Sequence, residues 1–96
     1  MATLFGIAMD MRRQLSRGPV TRELSGGLAL RLERAEAPWP PPTERYSAGR
    51  GTKLTLSRPA VPPSEMEISI CRQSFGVPET AERVDVHNEV ILTWTD

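Results

Sequence analysis

The segment Pro62–Pro78, PPSEMEISICRQSFGVP, decides the fold, because it encodes the start and the end of one helix within a few residues. Ser64 and Glu67 form the Ser-x-x-Glu capping box, in which each side chain accepts a hydrogen bond from a free backbone amide of the first turn. Gly76 can adopt the left-handed conformation that ends a helix, and the proline that follows prevents continuation. The pattern predicts a helix over residues 65–75.

One side of this helix is predicted to be apolar and to pack on the rest of the protein. Residues at spacings of three and four lie on one helical face, and the segment has Ile68, Cys71 and Phe75 at these spacings. We expect Met66 and Ile70 to widen the same face. The helix is therefore expected to dock on an apolar core.

The residues before this helix predict one further helix and three strands. Residues 3–17 are amphipathic with helical spacing and end at a Gly-Pro pair. The period then changes to two, which predicts strands at 20–24 and 28–34 joined by a Ser-Gly-Gly turn. Four prolines and two glycines exclude a regular element from 35–51, which we expect to be a long loop, and 52–58 alternates again as a strand.

The chain ends in its longest alternating run, and two structures are compatible with it. A single strand over residues 83–95 places every large hydrophobe except Ile91 on one face. The alternative is a tight hairpin that turns at His87–Asn88, but it would leave Leu92 and Trp94 without partners. We favour the single strand, with a bulge near the asparagine.

Together these segments predict one α+β domain over residues 1–96. Its core would be a small antiparallel or mixed sheet of three to four strands, with the two helices packed on one face. The single cysteine excludes an intramolecular disulfide and fits a reducing cytoplasm. No stretch approaches the roughly 18 apolar residues of a membrane span, so we expect a cytoplasmic protein.

Charge is balanced overall but is segregated along the chain. Residues 1–58 hold ten basic and five acidic groups, a net charge of +5, whereas residues 59–96 hold two basic and seven acidic groups, a net charge of −5. One explanation is that elements from the two halves neutralise each other across a small surface. The other is that the arginine-rich half binds an anionic partner.

The sequence contains no recognisable catalytic or metal-binding pattern. Cys71 and His87 are the only cysteine and the only histidine, so a metal site would need mostly carboxylate ligands. A dyad of these two residues is disfavoured, because a thiol among apolar residues of a helix is a poor nucleophile. We therefore expect no enzyme, no cofactor and no metal.

The segment 35–51 and the start of the next strand hold the candidate binding residues. Glycine-flanked cations next to an aromatic ring can contact a phosphate or stack on a base, although solvated charges at a flexible tip are the simpler explanation. A tryptophan among prolines can be a polyproline II ligand, or it can cover the edge of a small core. The candidates are Trp39, Arg45, Tyr46, Arg50 and Lys53.

The functional expectation follows from this lack of catalytic groups in a short chain. We expect a small non-enzymatic module that binds a macromolecular partner, a protein in the first place. The alternative is nucleic-acid binding through the arginine-rich N-terminal half and the Arg45–Lys53 loop. Self-association through the edge of the C-terminal strand is a further expectation.

Overall fold

The computed structural model describes residues 3–36 and 50–95, which form two helices and a five-stranded antiparallel sheet. The strand order is β1-β2-β3-β5-β4. The α+β class is confirmed, but the predicted three to four strands are wrong. The elements in chain order are α1 (Leu4–Gln14), β1 (Val20–Glu23), β2 (Ala29–Glu36), β3 (Arg50–Ser57), α2 (Glu65–Phe75), β4 (Glu82–Val86) and β5 (Glu89–Thr95).

The fifth strand arises because residues 83–95 do not form one continuous strand. The chain turns at His87–Asn88, and β4 pairs antiparallel with β5, with Val84 opposite Ile91. The prediction of a single long strand is therefore wrong, and the alternative hairpin is the structure that forms. After the turn, Val84 lies on the sheet face opposite to the one that the single strand would have given it.

The expectation that a hairpin would leave Leu92 and Trp94 without partners is wrong, because β5 also pairs with β3. Leu92 lies opposite Leu54 of β3, and Trp94 lies opposite Thr52 of the same strand. These partners come from far away in the sequence, so local alternation could not indicate them. The C-terminal strand β5 is thus internal to the sheet, and among the described strands β1 and β4 are the edges.

Helix α2 has the bounds that its capping signals predict. The Ser64 hydroxyl accepts a hydrogen bond from the amide of Glu67 at 3.2 Å, and the Glu67 carboxylate accepts one from the amide of Ser64 at 2.9 Å. Gly76 ends the helix in the left-handed region, with φ of 65°. Both helix ends are therefore fixed by local hydrogen bonds.

A single core lies between the helices and one face of the sheet. Its sheet residues alternate along the strands, and neighbouring strands place them opposite one another, as Leu32, Leu54 and Leu92 show. The buried apolar residues are Ala8, Met11, Leu15, Val20, Leu28, Leu30, Leu32, Leu54, Leu56, Ile68, Cys71, Phe75, Val90 and Leu92.

The apolar face of α2 is narrower than predicted. Ile68, Cys71 and Phe75 are buried, as expected, but Met66 and Ile70 are 74 % and 44 % exposed. At about 100° per residue these two side chains point away from the face that contacts the core. Their contribution to the core is a wrong prediction.

The remaining differences concern the ends of elements. The predicted helix 3–17 is α1 over Leu4–Gln14, followed by one tight turn over Leu15–Arg17. The predicted loop 35–51 is shortened at both ends by β2 and β3, and residues 37–49 lie outside the described part of the chain. Among the described helices, none is long and apolar enough to cross a membrane.

Candidate interaction surface

The sheet has one face that contributes nothing to the core, which we call the open face. Its side chains alternate with the core residues along β2, β3 and β5. The residues of one row come from all five strands and lie side by side, because the register places them opposite one another. This row consists of Thr21, Arg31, Thr55, Ile91 and Val84.

Strand β4 is the most exposed regular element of the described chain. All five of its residues are exposed, and none belongs to the core. On the open face, Val84 is 52 % exposed and Val86 is 46 % exposed. Val84 lies opposite the partly buried Ile91. We call these three side chains the edge patch; they place apolar surface beside a strand edge that has no partner among residues 3–36 and 50–95.

On the other side of β4, an ion-pair group connects the strand to α2. The Arg83 guanidinium donates to both carboxylate oxygens of Glu65, at 2.8 and 3.0 Å, and to both of Asp85, at 2.8 and 3.0 Å. These hydrogen bonds lower the pKa of both carboxyls and raise the pKa of Arg83. Apart from its backbone pairing with β5, β4 is therefore held by polar contacts at the surface.

The turn of the hairpin is held against the segment that follows β3. The Asn88 side-chain amide donates to the carbonyl of Pro59 at 2.9 Å, and the amide of Arg58 donates to the carbonyl of Asn88 at 3.3 Å. His87 has φ of 52°, and it is the one non-glycine residue in the described ranges with a positive φ. A histidine in this region is strained relative to glycine, so the turn sequence is not optimised for stability.

A shallow cleft of about 600 Å³ opens where the turn meets the open face. It contains the small residues Ala29 and Ser57, which occupy adjacent positions on β2 and β3. Glu23 and Glu89 line it from β1 and β5, and Val86 lines it from β4. The cleft is continuous with the edge patch through Val86 and widens the surface available to a partner.

The arginines of the described chain are largely engaged in contacts within the protein. Arg12 donates to the last carbonyls of α2, which belong to Ser74 and Phe75, and this contact joins the two helices. Further ion pairs join Arg22 to Asp10, Arg31 to Glu33, and Arg58 to Glu67. The last of these pairs joins the basic and acidic halves of the sequence.

Two of the five candidate binding residues lie in the described part of the chain, and both belong to β3. Lys53 lies on the open face of β3, opposite Glu33 on one side and Thr93 on the other. Arg50 is the first residue of β3. The other three candidates, Trp39, Arg45 and Tyr46, lie outside the described residues.

The surface around β4 was missed at the sequence level. The predicted single strand over residues 83–95 places Val84 and Val86 on the same face as Leu92, whereas the hairpin places them on the opposite face. The available signal was the pair His87–Asn88, since asparagine is frequent in two-residue hairpin turns. The alternation alone does not distinguish one strand from two strands joined by such a turn.

The thiol and the imidazole considered for catalysis have different environments. Cys71 is fully buried in the core, and this burial raises the pKa of its thiol to about 11. His87 is exposed in the hairpin turn. Within residues 3–36 and 50–95, no group of three or more His, Cys, Asp or Glu side chains could hold a metal ion.

Comparison of the chain with protein-family models, with curated proteins and with solved structures gives no match.

Proposed function

We propose that this protein is a small non-enzymatic module that binds another protein through β4 and the edge patch. The observation that carries the proposal is an edge strand whose residues are all exposed and whose valines lie on the open face, 52 % and 46 % exposed. Such an edge offers free backbone N–H and C=O groups to an incoming strand, and alternate side chains supply apolar contact.

The partner that fits this surface is an extended segment of a protein. Backbone pairing to β4 requires a free strand, which neither a small molecule nor a duplex can supply. Arg83 and Asp85 favour a segment with an acidic and a basic residue at the opposing positions, since opposite charges stabilise cross-strand pairs. Val84 favours an apolar residue between them.

The state of the titratable groups supports a binding role over a catalytic one. The thiol of Cys71 is protonated at neutral pH because burial raises its pKa, and a protonated thiol is a weak nucleophile. Glu65, Glu67 and Asp85 are each hydrogen-bonded to an arginine. The buried free cysteine also fits the cytoplasmic location that is part of the proposal.

Nucleic-acid binding through the arginine-rich half is the alternative that the experiment must separate. Arg22, Arg31 and Arg58 each contact a carboxylate, which reduces the positive potential that a phosphate backbone would meet. Lys53 lies opposite Glu33 on the open face. These pairings favour a protein partner.

The test compares wild-type protein with two variants of equal net charge. Val84→Glu introduces a carboxylate into the edge patch, and Met66→Glu introduces one at an exposed position of α2. Each immobilised protein is incubated with an extract of the source organism, with and without nuclease, and retained proteins are identified by mass spectrometry. The strongest candidate is then purified and its dissociation constant is measured by calorimetry.

The expected result is a protein that wild type and Met66→Glu bind equally and that Val84→Glu binds at least about tenfold more weakly. Nuclease should not change this result. A partner that binds Val84→Glu as tightly as wild type contradicts the assigned surface. A partner that is lost only after nuclease treatment supports nucleic-acid binding instead.

A further inference from the structure

Strand β4 has a charge pattern that is complementary to itself. Its sequence, Glu82-Arg83-Val84-Asp85-Val86, places one cation and one anion symmetrically about the central valine. We propose that β4 pairs antiparallel with β4 of a second copy of this chain, about a two-fold axis at Val84. The inference rests on the proposed function, because it names the partner of the same edge.

The hydrogen-bonding direction of the free edge fits this register. A two-residue turn closes on a hydrogen-bonded pair, which here is Val86 with Glu89. Because such pairs alternate along antiparallel strands, Val84 also bonds to β5, whereas Arg83 and Asp85 direct their backbone groups outward. A two-fold axis at Val84 places Arg83 of one copy opposite Asp85 of the other, so the outward groups bond to each other.

The neighbouring symmetric registers are unfavourable for electrostatic reasons. A two-fold axis at Arg83 places two guanidinium groups opposite each other, and an axis at Asp85 does the same for two carboxylates. Like charges at directly opposed positions destabilise a strand pair. Among these three axes, the one at Val84 alone gives opposite charges, and it does so twice because of the symmetry.

In this dimer the ion-pair group around Arg83 gains contacts with the second copy. Arg83 holds Glu65 and Asp85 of its own chain. In the dimer each Asp85 also lies opposite Arg83 of the second copy and so gains a second cation. In the single chain the Arg83 side chain is 29 % exposed and the Asp85 side chain is 53 % exposed. Each of these charges faces an opposite charge in the dimer, so pairing leaves no isolated charge buried.

The apolar contact lies on the open face. Val84 of the two copies forms a pair without mutual backbone hydrogen bonds, the type in which side chains approach most closely. Both valines are about half exposed in the single chain and lose this exposure on pairing. Since every residue of β4 is exposed, neither helix covers the edge against a second strand. The short contact predicts a concentration-dependent dimer.

The test is sedimentation equilibrium from about 1 μM to about 1 mM. The mass of the wild-type protein should rise from 10.7 kDa toward twice that value. Arg83→Asp and Asp85→Arg each replace both favourable pairs by like-charge pairs, so each should raise the dissociation constant at least about tenfold. An equimolar mixture of the two variants should associate again, because it restores opposite charges across the edge.

Two further variants keep the test independent of the stability of β4. Val84→Glu leaves Arg83 and Asp85 in place and should also abolish association, whereas Met66→Glu should associate like wild type. Circular dichroism checks that each variant is folded. A wild-type protein that remains a monomer throughout overturns the homodimer, as does association that Val84→Glu and both charge reversals leave unchanged. Binding of a different protein that depends on Val84 would then still support the proposed function.

Discussion

Helix α2 and strand β4 are adjacent in the chain and are joined by the contact between Glu65 and Arg83, yet they are stabilised in different ways. Four residues of α2 are buried, and both of its ends are capped. No residue of β4 is buried. The difference shows that α2 is docked on the core through buried side chains, whereas β4 lies at the surface with its valines about half exposed.

Truncation of a buried side chain of α2 should have the largest effect on stability. Phe75→Ala removes a ring that is 2 % exposed, and it should lower the free energy of unfolding by about 3–5 kcal/mol. Urea denaturation monitored by circular dichroism measures this change. Met66→Ala is the control on the same helix, and its effect should stay within about 0.5 kcal/mol. Equal effects of the two variants would show that the helix is not docked as described.

Removal of the N-cap should have the next largest effect. Ser64→Ala loses the hydroxyl that accepts a hydrogen bond from the Glu67 amide, which should cost about 1 kcal/mol. The same denaturation experiment detects it. Ser69→Ala, at an exposed position within α2, is the matched control and should be neutral or slightly stabilising. A Ser64→Ala variant as stable as Ser69→Ala would contradict the capping box.

The turn between β4 and β5 should be improved by a substitution. Glycine adopts positive φ without the strain of a side chain, so His87→Gly should stabilise the protein by about 0.5–1 kcal/mol. Thermal denaturation measures the shift. His87→Ala keeps the strain and serves as the control. Destabilisation by His87→Gly alone would indicate that the imidazole makes a contact that outweighs the strain.

Stability should fall in acid because several carboxyls are hydrogen-bonded to arginines. The pKa values of Glu65, Glu67 and Asp85 are lowered in the folded state, mainly by hydrogen bonds from Arg83 or Arg58. Their stabilisation is present above the ordinary carboxyl range of about pH 4 and is lost as the pH falls through the lowered values.

Glu67→Gln isolates one of these carboxyls, because glutamine can still form the capping box. Melting temperatures measured from neutral to acidic pH should fall less steeply for this variant than for wild type. The effect is small, since the ion pair with Arg58 is partly solvated. Identical pH profiles would show that Glu67 has no lowered pKa in the folded protein.

The contrast between α2 and β4 also explains how far the sequence could predict the structure. The signals for α2, such as Ser64 and Gly76, lie within a few residues of the atoms that they bond, so the local sequence contains them. The place of β5 in the sheet depends on pairing with β3, as between Leu92 and Leu54, and alternation does not identify a distant partner. The prediction of one long strand failed for this reason.

The candidate surface could not be predicted from the sequence either, because it depends on the same long-range strand pairing. The edge patch exists because the chain turns at His87–Asn88 and places β4 outside β5, and both facts come from tertiary pairing. Candidates chosen by residue type, such as Arg45 and Tyr46, were arginines and aromatic residues beside glycines and prolines. Charged and aromatic residue types can be read directly from a sequence, whereas a free strand edge depends on the topology of the sheet.

Residue-resolved amide hydrogen exchange of the wild-type protein tests the role of β4 most directly. At low concentration the amides of Val84 and Val86 should be protected by β5, while those of Arg83 and Asp85 exchange rapidly because they face the free edge. At high concentration Arg83 and Asp85 should become protected as β4 pairs with a second copy. Protection of all four amides at every concentration, or of none, would contradict the free edge and its pairing.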